Sequence, residues 1–321
     1  MVNKMNKIRK SLVLLLVIFG SIFFVGCDLK IKNQLTVILP SGTPLIAVGG
    51  LLAEENVDYT VVSGADLLTT AFISQSHDIV IAPLTLGMKL FMNEASSYKM
   101  YAIITLGNTY IISREETSLD SIANLNNQEI MAFGQNNTPD IILKAALEDN
   151  KYQANITYQA GVNDIVPFFV CNDSSCAEAP KYILSAEPTI TTLELKYGLS
   201  LNIINLQDVL GEEHEVIPQA AIFVNPNSSY LEDIEVFMKK VEKNVDELNQ
   251  KTDSYVDRII NAHDFFSKTG ADVLKRSIPR SNIEFLLAKE HQEIVVAYCH
   301  LLNKYNNKIL GGLVVDEEIY Y

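Results

Sequence analysis

The signatures that usually carry enzyme chemistry are missing from this chain of 321 residues. It has no HExxH, GxSxG, P-loop or GxGxxG pattern, which removes the common sequence grounds for a zinc hydrolase, a serine hydrolase, a phosphate-loop enzyme or a dinucleotide enzyme. Its histidines, His77, His214, His263, His291 and His300, are scattered with no partner at metal-ligand spacing, so neither a metal nor any other cofactor is expected. Basic charge is scarce: 25 Lys and Arg stand against 39 Asp and Glu, a formal charge of −14. That balance argues against nucleic acid or anionic lipid as a partner, because both need a basic surface. Beyond residue 26 no stretch is apolar enough to cross a bilayer. Cysteine is rare too. Cys171 and Cys176 flank Asn172-Asp173-Ser174-Ser175 and can either close a small disulfide loop or stay reduced, while Cys299 in an apolar helical pattern reads as a buried free thiol.

What is present starts with Lys4, Lys7, Arg9 and Lys10, followed by the apolar stretch Leu12–Val25 and then Gly26-Cys27, the pattern of a secretory signal. Gly26 before Cys27 resembles the bacterial lipobox, which implies cleavage after residue 26 and a lipid on Cys27, with Phe24 a departure from the usual Leu. The other reading is an uncleaved anchor, for which the apolar stretch is short. Either way the bulk of the chain is expected outside the cytoplasm, tethered to a membrane at one end. Cleavage would remove four positive charges and no negative ones, leaving residues 27–34 as a tether and an acidic body. That body, about 295 residues, is large enough for two compact lobes.

The stretch His77–Ser113 organises the rest. Asp78–Ala82 is too apolar for a half-exposed strand and suits a parallel strand covered on both faces. Pro83 can open the next helix, in which Leu84, Met88, Phe91 and Met92 recur at helical spacing. Two apolar runs, Tyr101–Leu106 and Thr109–Ser113, flank Gly107-Asn108, placing small polar groups at the carboxyl edge of a sheet, where ligands of open α/β sheets bind. Before it come strand Leu35–Leu39, the turn Pro40–Pro44 in which Ser41 or Thr43 can cap a helix, strand Tyr59–Val62 and a helix from Gly64-Ala65-Asp66. This is an α/β layer on a mainly parallel sheet.

The polar run after Arg114 is expected to cross into a second lobe, roughly 126–210. There strand Glu129–Phe133, turn Gly134–Pro139, helix Asp140–Leu147, strand Asn155–Gln159, helix Val162–Val170, strand Lys181–Leu184, helix Pro188–Tyr197 and strand Leu201–Ile204 restart the alternation. Strand Ala220–Val224 then leads back, and only helices are expected beyond it: Tyr230–Gln250, capped by Ser228 or Ser229, then Ser254–Phe266, Ala271–Lys275 and Ile283–Leu302. The first lobe is therefore expected to be discontinuous, 35–115 and 216–321.

The order of Asp78–Pro83, Ile104–Ile112, Ala186-Glu187-Pro188 and Pro218–Pro226 resembles the solute-binding lipoproteins of ABC importers, in the branch that includes binding proteins for thiamine-precursor pyrimidines, alkanesulfonates and nitrate. The resemblance covers nearly the whole body and rests on several loose motifs. It implies the type II periplasmic binding fold, two α/β lobes joined by two crossovers that close over a small-molecule ligand. It implies as partners an ABC permease and, through Cys27, the membrane, with the protein a monomer. Carried onto this chain, the ligand site would use Ser41, Gly42, Thr43, Pro83, Leu84, Asn108 and Tyr110 from the first lobe. From the second it would use Gly134, Gln135, Asn136, Thr138 and Glu187. Each has a plainer role available: Glu187 as a helix cap, Tyr110 as core, Asn136 as a turn residue. No Arg or Lys falls in these turns, which favours a near-neutral ring compound over a strong anion. Two other classes fit the same fold: an enzyme resembling chorismate dehydratases, and a surface interaction lipoprotein that has lost its ligand.

Overall fold

The computed structural model describes residues 30–171, 179–211, 216–311 and 315–321. The signal segment 1–26 and Cys27 lie outside the described residues. The first sheet contains β1 (Leu35–Pro40), β2 (Val57–Val62), β3 (Ile79–Pro83), β4 (Lys99–Thr105), β10 (Ala220–Val224) and β11 (Ile283–Leu287), in the order β11-β4-β10-β3-β1-β2. The second contains β5 (Tyr110–Arg114), β6 (Glu129–Phe133), β7 (Asn155–Gln159), β8 (Tyr182–Ser185) and β9 (Leu201–Asn205), in the order β7-β6-β8-β5-β9. Five strands follow the same figure in both sheets, and the first sheet adds β11 at its edge. In each, three parallel strands are followed by one antiparallel strand that arrives from the other lobe, β10 beside β3 and β5 beside β8.

The strands are apolar at successive positions because both faces are covered. Val37, Leu39, Ile79 and Ile81 face one core and Ile38, Val80 and Ala82 face another, so no side of β1 or β3 is left to water. Helices α1 (Thr43–Val48), α2 (Ala65–Ser74), α3 (Leu84–Met92), α7 (Leu231–Gln250), α8 (Thr252–Ile259), α9 (Asp264–Thr269) and α10 (Ala271–Ser277) surround the first sheet. Helices α4 (Thr138–Asp149), α5 (Val162–Val170) and α6 (Thr189–Lys196) cover the second. α7 carries the apolar stripe Ile234, Phe237, Met238, Val241, Val245 and Leu248 inward, as its spacing requires.

Four expectations change. The chain leaves the first sheet after Thr105, not after Arg114: strand Tyr110–Arg114 belongs to the second sheet, and Gly107 lies in the link between the two. A Cβ on Gly107 would lie 1.7 Å from Gln207 Oε1, because Gln207, in the second crossing, donates from Nε2 to the Gly107 carbonyl at 2.7 Å and ties the two crossings together. Ile283–Leu287 is an edge strand beside β4 rather than the start of a helix, and the helix begins only at α11 (Gln292–Asn306). The single helix expected over Ser254–Phe266 is two short helices, α8 and α9, broken at residues 260–263. Last, the tether is shorter than 27–34. Ile31 is buried, and Asp233, in the first turn of α7, accepts from Lys32 N at 2.8 Å, Asn33 N at 3.2 Å and Asn33 Nδ2 at 2.6 Å. A buried carboxylate needs such donors, and they hold Asp233 below the ordinary carboxylate range against the opposing effect of burial.

α11 reaches across both lobes. It packs along α4 of the second lobe, and its buried Cys299 places Sγ 3.6 Å from Met88 Sδ in α3 of the first. Cys299 is a free thiol that burial pushes up to about 12. Cys171 is disulfide-bonded, and Cys176 lies outside the described residues.

Candidate functional site

The carboxyl ends of β1, β3, β6 and β8 each run into a helix, and the turns there are where the sequence placed the ligand. At the first, Gly42 is the N-cap of α1 with φ 102°, and neither Ser41 nor Thr43 supplies a side-chain cap. Only glycine takes that conformation without strain, and a Cβ built on it meets nothing within 4 Å, so space is open in front of this turn. Ser41 is exposed and Thr43 half-buried. At the second turn Pro83 is exposed, but Leu84 is fully buried and donates its N–H to the Gln219 carbonyl at 2.9 Å, making it core rather than a ligand contact.

In the second lobe Gly134 (φ 69°) and Asn136 (φ 61°) turn the chain into α4, with Gln135 exposed. Asp140, one turn into that helix and fully buried, accepts from Asn136 N at 2.8 Å, Lys144 Nζ at 2.8 Å and Tyr158 Oη at 2.7 Å. The turn is thus pinned from within, and one of its amides is already used. Asn306 of α11 donates to the Asn136 carbonyl at 2.8 Å, and Tyr298 shares a 2.7 Å hydrogen bond with Thr138 Oγ1. These α11 residues, and Asp140, were not among the sequence candidates. An acid directly after the helix-opening Thr138-Pro139 was the available sign of the pinned turn.

Asn108 and Glu187 meet, through the backbone of Glu187: Asn108 Nδ2 donates to its carbonyl at 3.0 Å and Asn108 Oδ1 accepts from its N–H at 2.8 Å. The Glu187-Pro188 peptide is cis. The Glu187 carboxylate is buried and accepts from Thr191 N and Thr191 Oγ1, both at 3.1 Å. Arg280 Nε lies 2.6 Å from Glu187 Oε1, a charge contact whose N–H points off the hydrogen-bond line. Arg280 Nη2 also donates to Thr191 Oγ1 and Glu194 Oε2, each at 2.7 Å. Burial raises the Glu187 carboxyl above its ordinary range, while Arg280 and Thr191 pull it down. Tyr110, buried, donates from its hydroxyl to the Arg280 carbonyl, and burial pushes its phenol up to about 12. Arg280 comes from the segment joining α10 to β11, so this cluster joins the lobes at the base of the cleft.

Among the described residues, two cavities between the lobes bear on these turns. One, about 510 Å³, has Pro83, Thr85 and Lys89 on one side, Asn137, Thr138 and Pro139 on the other, and Asn306, Lys308 and Ile309 at its end. Lys89 and Lys308 are its charged lining residues. The other, about 590 Å³, lies between α5, α6 and α9 and includes Glu187. The structure therefore brings Pro83 and Thr138 to one cavity and Glu187 to a second, and spends Asn108 and Tyr110 on the protein itself.

Solved structures with the same architecture include periplasmic binding proteins. An ABC transporter from Parabacteroides distasonis is 20% identical over 90% of this chain and 99% of that one, with a TM-score of 0.76. The periplasmic aliphatic sulphonate binding protein SsuA from Escherichia coli is 11% identical over 90% and 92%, with a TM-score of 0.66. The alkanesulfonate-binding protein SsuA from Xanthomonas axonopodis pv. citri, bound to MOPS, is 14% identical over 90% and 98%, with a TM-score of 0.61. Neither a protein-family model nor a curated protein sequence matches the chain. At these identities the likeness defines the fold: a two-lobed α/β protein of the type II periplasmic binding architecture.

Proposed function

We propose that this protein is the extracytoplasmic solute-binding component of an ABC importer, held to the membrane by a lipid on Cys27 and passing a small polar molecule to a permease. The observation that carries the reading is the 510 Å³ cavity between the ends of β3 and β6, lined from both lobes, in a fold whose two sheets share one five-strand figure. Its action is binding with lobe closure, driven by the higher affinity of the ligand for the closed state. No chemical step is required of any residue.

The cavity favours a ligand with an anionic group. The turns themselves carry no Lys or Arg, but Lys89 and Lys308 reach the same space and, among the described residues, no carboxylate lines it, in a chain whose net charge is −14. A sulfonate or nitrate-like solute fits that lining better than a neutral pyrimidine. Thermal unfolding with alkanesulfonates, nitrate and pyrimidine vitamin precursors tests this: a raised Tm with the anions supports it, and a response to pyrimidines alone overturns the ligand class. A second reading, a surface protein that no longer binds solute, is favoured by the internal use of Asn108, Thr138 and Glu187. It predicts no response to any of the three classes.

A further inference from the structure

We propose that the amino-terminal end of α7, with the clipped segment Ile31–Asn33, is the face this protein lays on a lipid surface. The inference rests on the reading of Cys27 as the membrane anchor. Four peptide steps separate Cys27 from Ile31, and an extended chain of that length reaches at most about 14 Å. Ile31 is buried, Asn56 Nδ2 donates to its carbonyl at 2.9 Å, and Asp233 holds the next two residues by three hydrogen bonds. The leash is therefore too short to let the body turn freely beneath an anchored Cys27.

The surface at that point suits the position. Tyr230 and Leu231, the N-cap and first residue of the helix that carries Asp233, are each 37% exposed, and Lys30 and Lys32 are exposed beside the clip. A tyrosine with an apolar neighbour and flanking lysines is the composition that settles at a headgroup boundary. Glu232 in the same turn opposes strongly anionic lipid, so the partner that fits is a zwitterionic or weakly charged headgroup layer.

The chain contains no tryptophan, so a single introduced one reports alone. Protein beginning at Cys27 would be coupled through that thiol to a maleimide lipid in phosphatidylcholine vesicles with brominated acyl chains. Fluorescence of Tyr230→Trp would be compared with Tyr197→Trp, a 50% exposed site on the second lobe. The Tyr230→Trp signal is expected to be quenched at least about twofold more, and a Gly/Ser insertion of about twelve residues between Lys30 and Ile31 is expected to abolish the difference. Equal quenching at the two sites, or a difference that survives the insertion, overturns the proposal. Because the coupling is chemical, the result does not depend on acylation in cells. The intact mass of protein from native membranes tests acylation separately.

Discussion

Replacing Arg280 by methionine removes one of the contacts that join the lobes. Arg280→Met leaves the Glu187 carboxylate, whose side chain is 0% exposed, with only the two Thr191 donors. Removing one partner of a buried pair costs about 3–5 kcal/mol, and because the Arg280 side chain is 27% exposed the low end, about 3 kcal/mol, applies. Glu187 has a second way out, since burial already raises its carboxyl and without the guanidinium it rises further and takes up a proton. A folded-state value above the unfolded one means the stabilised form is the protonated one. The loss is therefore small near the unfolded carboxylate value, about pH 4, and grows as pH climbs through the raised folded value. Urea unfolding followed by far-UV circular dichroism at pH 5 and pH 8 would show it, with the larger drop in midpoint at pH 8. Adding Glu187→Gln should recover most of that drop. Equal losses at both pH values, or none, would mean that Glu187 does not depend on Arg280 for its charge.

Gly87→Ala places a Cβ 2.2 Å from the Phe223 ring, and overpacking of about 1–3 kcal/mol should appear as a lower urea midpoint with unchanged slope. Asp140→Asn, which keeps the size but removes the charge facing Lys144, Tyr158 and the Asn136 amide, should cost about 2 kcal/mol and weaken solute binding by loosening the Gly134–Thr138 turn. Tyr298→Phe removes its hydrogen bond to Thr138 and should cost about 1 kcal/mol by the same unfolding assay. Lys89→Glu in the inter-lobe cavity should weaken an anionic solute at least about tenfold in titration calorimetry while leaving the unfolding midpoint of the empty protein nearly unchanged.

The inner strands β1 and β3 were legible because they are apolar on both faces, and a run such as Ile79–Ala82 leaves few other outcomes. Boundaries that depend on partners were not. Tyr110–Arg114 looks the same in sequence whether it pairs with β4 or β8, and only the close approach of Gln207 to Gly107 shows where the chain crosses. Ile283–Leu287 reads as helix until β4 offers it an unpaired edge. At the candidate site, residue types pointed to turns at strand ends but not to what already occupies their polar groups. Asn108 and Thr138 are polar groups in cleft-edge turns, as a ligand contact would be, yet Glu187 and Tyr298, distant in sequence, already satisfy them. The lysines that line the cavity come from the body of α3 and from beyond the end of α11, outside the turns the sequence singled out.

Native mass spectrometry of protein isolated from cells without denaturation shows whether the cleft holds a guest. A one-to-one complex with a small molecule, released when the protein is unfolded, is the expected result. A bare chain mass, both as isolated and after incubation with extract of the growth medium, would contradict it.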